Sequence, residues 1–70
     1  MYYRKIVLNE GQENVLVVVK LNGVQIHSAE HSETFTLSFE VKESSIMEVY
    51  FNGVKMYEDY ITPGVSPING

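Results

Sequence analysis

Two histidines and their acidic neighbours are the first residues whose types could do chemistry. His27 and His31 lie four positions apart, with Glu30 and Glu33 beside them. Imidazole and carboxylate groups together form a common ligand set for zinc. A spacing of four brings side chains together on a helix, but His27 falls on a hairpin strand and His31 in the loop 29–33. We interpret both as solvated residues, and expect neither a metal site nor a cofactor.

Other catalytic patterns are weak in this chain. None of its candidate serines lies in a Gly-x-Ser-x-Gly elbow, the turn that presents a nucleophile; they are Ser28, Ser32, Ser44 and Ser45. The acidic pair Glu58 and Asp59 could act in glycoside hydrolysis, but that reaction needs a cleft wide enough for a sugar ring. Glycine-rich phosphate loops are missing from the sequence. We therefore expect no catalytic residue, and a small enzyme using His27 or His31 is kept only as an alternative.

Tyrosines are more informative, because the chain has five of them and three phenylalanines. Strand alternation around residues 48–57 separates a predicted core face, Val49, Phe51, Val54 and Met56, from a predicted interface, Glu48, Tyr50, Lys55 and Tyr57. Tyrosine suits interfaces because its apolar ring and polar hydroxyl both find partners there. The alternative is cross-strand pairing that only stabilises an exposed face.

Two Asn-Gly pairs position these side chains. Asn22–Gly23 and Asn52–Gly53 are each flanked by apolar residues, which predicts two hairpins with type I′ turns. The predicted pairs are Leu21 with Val24, Lys20 with Gln25 and Val19 with Ile26, and then Phe51 with Val54, Tyr50 with Lys55 and Val49 with Met56. Residues 19–26 match residues 49–56 at an offset of 30. A duplicated hairpin and shared turn chemistry both explain this match.

Strand signals continue through the rest of the chain. Residues 34–42 alternate strictly between apolar and polar side chains. Residues 15–19 are apolar at both odd and even positions. An opening strand is predicted near residues 2–8, before a turn at 9–12. The run 15–19 fits a strand that is covered on both faces, because it is either central in a sandwich or covered by another subunit. No segment has helical spacing. We predict an all-β fold, a small antiparallel sandwich or barrel of about six strands in a single domain over residues 1–60. An irregular Pro/Gly arm follows over 61–70.

Composition excludes several partners. Nine acidic and five basic residues give a net charge of -4, which disfavours nucleic-acid binding. No apolar stretch is long enough to span a membrane, and the N-terminus has no signal-peptide pattern. Cysteine is absent, so no disulfide supports the small core. Such a chain is a candidate for gaining stability by association with copies of itself.

The second hairpin resembles a repeat of tailed-bacteriophage virion proteins, of the tail-fibre and appendage type. In that repeat an apolar strand turns at Asn-Gly-Val, and Asp-Tyr introduces the next strand before a glycine turn. The matching segments are residues 49–56, Asp59–Tyr60 and Pro63–Gly64, with a weaker echo at 17–28. The interval between Asn-Gly-Val and Asp-Tyr is shorter here, and no obvious strand follows Gly64.

This resemblance implies a non-enzymatic structural protein of the virion, in a tail fibre, baseplate or head decoration. Its expected partners are copies of itself, often as trimers, and other virion proteins. Its expected location is the virion, after synthesis in the host cytoplasm without a signal peptide. The alternative is a small monomeric β module that binds carbohydrate or inhibits a host protein.

Overall fold

Six antiparallel strands form the protein in a computed structural model that describes residues 2–9 and 13–63. The strands are β1 (Tyr2–Ile6), β2 (Val15–Leu21), β3 (Val24–His31), β4 (Phe35–Phe39), β5 (Ser45–Phe51) and β6 (Val54–Ile61). Within those residues there is no helix. The all-β prediction is confirmed. No helix in the described part of the chain is long and apolar enough to cross a membrane.

Two sheets pack face to face. One has four strands in the order β3-β2-β5-β6, and the other pairs β1 with β4. Alternate side chains of both sheets point inward, because successive residues of a strand face opposite sides. Their buried apolar members form the core between the layers: Tyr2, Ile6, Leu8, Val15, Val17, Val19, Met47, Val49 and Ile61. The fold is therefore a small sandwich with a smaller second layer.

A pseudo-twofold axis relates the two halves of the chain. Val19 pairs with Val49 at the centre of the four-stranded sheet, and the register on either side is symmetric at an offset of 30. In the two-stranded sheet Arg4 pairs with Leu37, which makes β1 and β4 equivalent at an offset of 33. The hairpin similarity seen in the sequence thus extends to the whole architecture.

Both Asn-Gly turns have the predicted conformation. Asn22 and Asn52 have φ of 51°, while Gly23 and Gly53 have φ of 80° and 84°. Type I′ turns require positive φ at both central positions, where Asn and Gly are the best-tolerated residues. Each asparagine also joins the opposite hairpin: Asn22 Oδ1 accepts from the Ile46 N–H at 3.0 Å, and Asn52 Oδ1 from the Leu16 N–H at 3.0 Å.

A β-bulge in each hairpin changes the predicted faces. The first two predicted pairs of each hairpin are correct, but Val19 pairs with His27 and Val49 pairs with Tyr57. Ile26 and Met56 are the extra residues, and an extra residue shifts the alternation beyond it. Tyr57 consequently packs against the core.

Several other predicted boundaries and faces need correction. Val54 and Met56, expected in the core, are 62% and 52% exposed. Ile61, expected in the terminal arm, ends β6 and is 1% exposed. His31, expected in a loop, ends β3. The predicted turn at 9–12 and arm at 61–70 lie largely outside the described residues.

Candidate functional site

The candidate interface lies on the face of the four-stranded sheet that points away from β1 and β4, here called the outer face. Its residues on the central strands are Leu16, Val18, Lys20, Ile46, Glu48 and Tyr50, and on the edge strands Ser28, Glu30, Lys55, Glu58 and Tyr60. Leu16 is 40% exposed and Tyr60 is 82% exposed. The second layer, formed by β1 and β4, covers only the opposite face of the four-stranded sheet.

Three of the four predicted interface residues meet on the outer face. Lys55 Nζ lies 3.0 Å from Glu48 Oε2, and the Tyr50 hydroxyl donates to the same carboxylate at 3.4 Å. Tyr50 and Lys55 are direct cross-strand partners, which explains why they converge. Lys55 also pairs with Glu58.

Lys55 and Glu48 each stabilise the charged form of the other. Hydrogen bonds that the Lys55 ammonium donates to Glu58 and Glu48 raise the pKa of Lys55, and its bond to Glu48 lowers the pKa of that carboxyl group. Lys20 adds a second cation, with its Nζ 5.0 Å from the centre of the Tyr50 ring. The result is a network in which the Tyr50 ring lies near Lys20 and its hydroxyl bonds to the carboxylate that pairs with Lys55.

Tyr57, the fourth predicted interface residue, lies elsewhere. It faces the core layer beside β1, where the Arg4 guanidinium is 6.0 Å from the centre of its ring. Arg4 also forms an ion pair with Asp59. Burial raises the pKa of Tyr57 above its ordinary value, against the opposing charge of Arg4.

Sequence reasoning missed the Arg4 and Asp59 pair, although one signal for it was present. Arg4 shares the inward parity of Tyr2 and Ile6 on β1, and a charge at an inward position requires a partner. The neighbouring acidic residues Glu58 and Asp59 point to opposite faces, one to Lys55 and the other to Arg4. They do not form the paired carboxylates of a glycosidase.

The two histidines converge, contrary to the expectation that they are solvated loop residues. Both lie on the inward face of β3, and their Nε2 atoms are 2.9 Å apart. The His31 ring stacks on Phe35 with centroids 3.6 Å apart and an angle of 7°. Burial and the charge of His31 lower the pKa of His27. Within the described residues, no group of three or more His, Cys, Asp or Glu side chains could hold a metal ion.

Ser45 is the one candidate serine that is buried. Its hydroxyl donates to the Glu43 carbonyl at 2.7 Å and accepts from the Asn22 side chain at 3.3 Å. These bonds tie the start of β5 to the first turn. Ser45 therefore acts in the structure as a link between the two halves of the chain.

Comparison with known proteins adds nothing to this geometry. The chain matches no protein-family model, no curated protein and no solved structure. The resemblance to virion proteins consequently stays a prediction from the motif at residues 49–64.

Proposed function

We propose that the protein is a non-enzymatic assembly module that binds a second copy of itself through the outer face. The observation that carries this proposal is the uncovered apolar row on the two central strands, formed by Leu16, Val18, Ile46 and Tyr50. When one face of an antiparallel sheet is in water, its strands carry apolar residues on the buried face and polar residues on the other. Here residues 15–19 of β2 are apolar on both faces, which favours a partner over the second face.

The charge of the outer face suits contact between identical chains. The whole chain carries a net charge of -4, so two copies repel each other on average. The outer face, in contrast, has two lysines against three glutamates, and Lys55 already pairs with Glu48 and Glu58. Docking through this face brings together surfaces that are almost neutral.

The pseudo-twofold axis supports the same partner. It passes between Val19 and Val49, at the middle of the four-stranded sheet. A twofold dimer interface uses the same patch on both subunits, so each contact between two different residues occurs twice, once on either side of the axis. The two halves of the outer face, related by the pseudo-twofold axis, have similar shapes. Both halves can therefore contact a second copy in a similar way.

We place this assembly in a bacteriophage particle, as a tail-fibre, baseplate or head-decoration component. The support for that setting is the repeat at residues 49–56 with Asp59–Tyr60, together with the tyrosine on the outer face. Copies of the chain, as dimers or trimers, and other virion proteins are the proposed partners.

The proposal is tested by the mass of the protein in solution. Analytical ultracentrifugation should give a mass above the 8.0 kDa of one chain. The double variant Leu16→Ser, Tyr50→Ala should weaken association by about tenfold or more, since truncating a central aromatic anchor removes a large share of binding energy. Tyr3→Ser is the matched control, because Tyr3 is an exposed tyrosine on the other sheet.

Two results would contradict the proposal. One is a wild-type protein that stays monomeric up to about 1 mM, which corresponds to negligible self-affinity and would favour the monomeric binding module. The other is a double variant that remains folded by circular dichroism and assembles as well as the wild type.

A further inference from the structure

The two histidines of the chain lie together on the inward face of β3. Their Nε2 atoms are 2.9 Å apart, and their ring centroids are 5.1 Å apart. A contact of this kind between neutral imidazoles needs one Nε2 to donate and the other to accept. The two nitrogens therefore face each other, and Nε2 is also an atom through which histidine binds metal ions. We call this feature the His27–His31 pair.

Neighbouring strands position both rings. His27 pairs with the buried Val19 of β2. Four residues on, His31 pairs with Val15, which is also buried. Phe35 of β4 stacks on the His31 ring at 3.6 Å and lies 5.4 Å from the His27 ring, measured between centroids. Rings that are already ordered lose less conformational freedom when they bind an ion together. Both histidines are only half-buried, so an ion reaches them from solvent.

The distance between the two nitrogens fits an ion held by both. With metal–nitrogen distances of about 2.0–2.1 Å, nitrogens 2.9 Å apart make an angle of about 90° at the ion. Neighbouring ligands make a right angle in square-planar and octahedral coordination, which Ni²⁺ and Cu²⁺ adopt. A tetrahedral ion such as Zn²⁺ would place the two nitrogens about 3.3 Å apart. The geometry therefore favours Ni²⁺ or Cu²⁺ over Zn²⁺.

We propose that the His27–His31 pair binds one divalent transition-metal ion of the Ni²⁺ or Cu²⁺ type through both Nε2 atoms. Water fills the other positions, because no third His, Cys, Asp or Glu joins the pair among the described residues. On binding, the ring that carries its proton on Nε2 changes to the form protonated on Nδ1, so that both Nε2 lone pairs face the ion.

This site goes beyond both the sequence and the proposed assembly. The sequence predicts no metal site here, since a spacing of four favours contact on a helix; in the structure the two rings are nevertheless in contact. The pair lies on the inward face of β3, opposite the outer face. Metal binding and self-association through the outer face are therefore independent of each other.

The pseudo-twofold axis supplies an internal comparison. On β6, Tyr57 stands at the position equivalent to His27. Ile61 likewise stands at the position equivalent to His31. Neither offers an imidazole, and the chain has no cysteine and no further histidine. Ni²⁺ bound by imidazole can therefore be assigned to a single place in the fold.

The test uses Ni²⁺ and the intact protein without a polyhistidine tag. Isothermal titration calorimetry at about pH 7.5, where imidazole is neutral, should show one ion bound per chain. The melting temperature should rise with the Ni²⁺ concentration, because an ion that binds only the folded pair stabilises the fold. Zn²⁺ should bind more weakly than Ni²⁺, and Cu²⁺ more tightly.

NMR locates the ion in the wild-type protein. Ni²⁺ surrounded by nitrogen and water ligands is paramagnetic and broadens the signals of nearby nuclei. In ¹H–¹⁵N spectra, substoichiometric Ni²⁺ should broaden the amides of β3 around His27 and His31 first. The amides of β6 around Tyr57 should stay sharp, since that flank lacks the histidines.

Two variants remove one ligand each. His27→Gln and His31→Gln should each weaken Ni²⁺ binding by about tenfold or more, because the second imidazole acts at a high effective concentration. The matched control is Glu30→Gln, which removes an exposed carboxylate on the opposite face of the same strand. It should leave the affinity unchanged. Circular dichroism checks that each variant is folded.

Several outcomes would overturn the inference. They are no saturable binding below about 1 mM Ni²⁺, unchanged affinity in both histidine variants, or broadening centred away from β3. A loss of affinity in Glu30→Gln as large as in the histidine variants would place the ion on the outer face instead. Stronger binding of Zn²⁺ than of Ni²⁺ would contradict the right-angled geometry. The broadening is measured on the wild type, so it decides the question even where a variant does not fold.

Discussion

At the scale of single residues, the histidine pair shows that two side chains four positions apart on a strand can still be in contact. His27 and His31 share the inward face of β3 with the small Ala29 between them, and their Nε2 atoms are 2.9 Å apart. One nitrogen can donate and the other accept only while at least one of the two facing nitrogens is unprotonated. Acid therefore opposes this contact.

We expect the protein to lose stability as the pH falls below about 6.5. The folded-state pKa of His27 is lowered, first by burial and then by the charge of His31. The unfolded chain thus binds the proton more readily, and stability present above the ordinary pKa is lost as the pH falls through the folded value. Urea unfolding between pH 7.5 and about 5 measures this slope.

The matched variants for this pH dependence are His27→Gln and Glu30→Gln. Replacing His27 should flatten the slope of the unfolding free energy against pH. Replacing Glu30, which is exposed, should leave that slope unchanged. An equal slope in His27→Gln and the wild type would show that other groups cause the acid sensitivity.

The two tyrosines of the second hairpin should respond differently to truncation. Tyr57→Ala removes a ring that packs against the core, and should lower the free energy of unfolding by about 2 kcal/mol, below the range for fully buried aromatics. Tyr50→Ala removes a ring from the outer face, and should cost less than about 1 kcal/mol. Urea unfolding at a concentration where the protein is monomeric compares them. A larger loss for Tyr50 would mean that this face is part of the folding core.

At the scale of elements, the turns combine backbone conformation with a contact between hairpins. Asn52 adopts a φ of 51° and its Oδ1 accepts from the Leu16 N–H. A Cβ at Gly53 would meet nothing within 4 Å, so only its φ of 84° makes glycine necessary there. Each turn therefore also holds the neighbouring hairpin in register.

Asn52→Ala should destabilise the protein by about 2 kcal/mol, through a left-handed residue that carries a Cβ and a lost hydrogen bond. Asn52→Gly keeps the backbone conformation and loses only the side-chain bond, so it should cost about half as much. Asn22→Ala is the symmetric repeat of the experiment. Equal stability of the alanine and glycine variants would mean that the positive φ contributes nothing.

Short-range chemistry explains which elements could be predicted from the sequence. The Asn-Gly turns and the alternation of residues 34–42 are local signals, and they placed both hairpins and β4 correctly. The bulges at Ile26 and Met56 carry no comparable local signal, so the face of Tyr57 was assigned wrongly. The contact among Tyr50, Lys55 and Glu48 could be predicted because the three residues are close in the chain and share one face of the hairpin.

Contacts between distant strands explain what was missed. The Arg4 and Asp59 pair joins residues 55 positions apart, and it depends on β1 lying over β6. Strand order between the sheets cannot be read from alternation, because many orders satisfy the same pattern.

At the scale of the whole molecule, the two halves of the chain are interlocked. β1 of the first half pairs with β4 of the second, and β2 pairs with β5. Arg4 on β1 also reaches Asp59 on β6. Each half alone retains one hairpin, which is at best marginally stable in water.

Separate fragments covering residues 1–33 and 34–70 should therefore be unfolded alone and should regain β structure when mixed. Circular dichroism and NMR dispersion, measured on each fragment and on an equimolar mixture, provide the test. A monomeric fragment that folds without the other would show that the halves are independent units.

The two bulges also bear on how the protein avoids uncontrolled aggregation. β3 and β6 are the edge strands of the four-stranded sheet, and Ile26 and Met56 interrupt both of them. A neighbouring chain that tried to extend this sheet would match its side-chain alternation on one side of the bulge and lose it on the other. Such mismatches stop sheets of separate molecules from merging into fibrils. The bulges thus help a chain whose residues 15–19 are four valines and a leucine to remain a discrete folded protein instead of an amyloid seed.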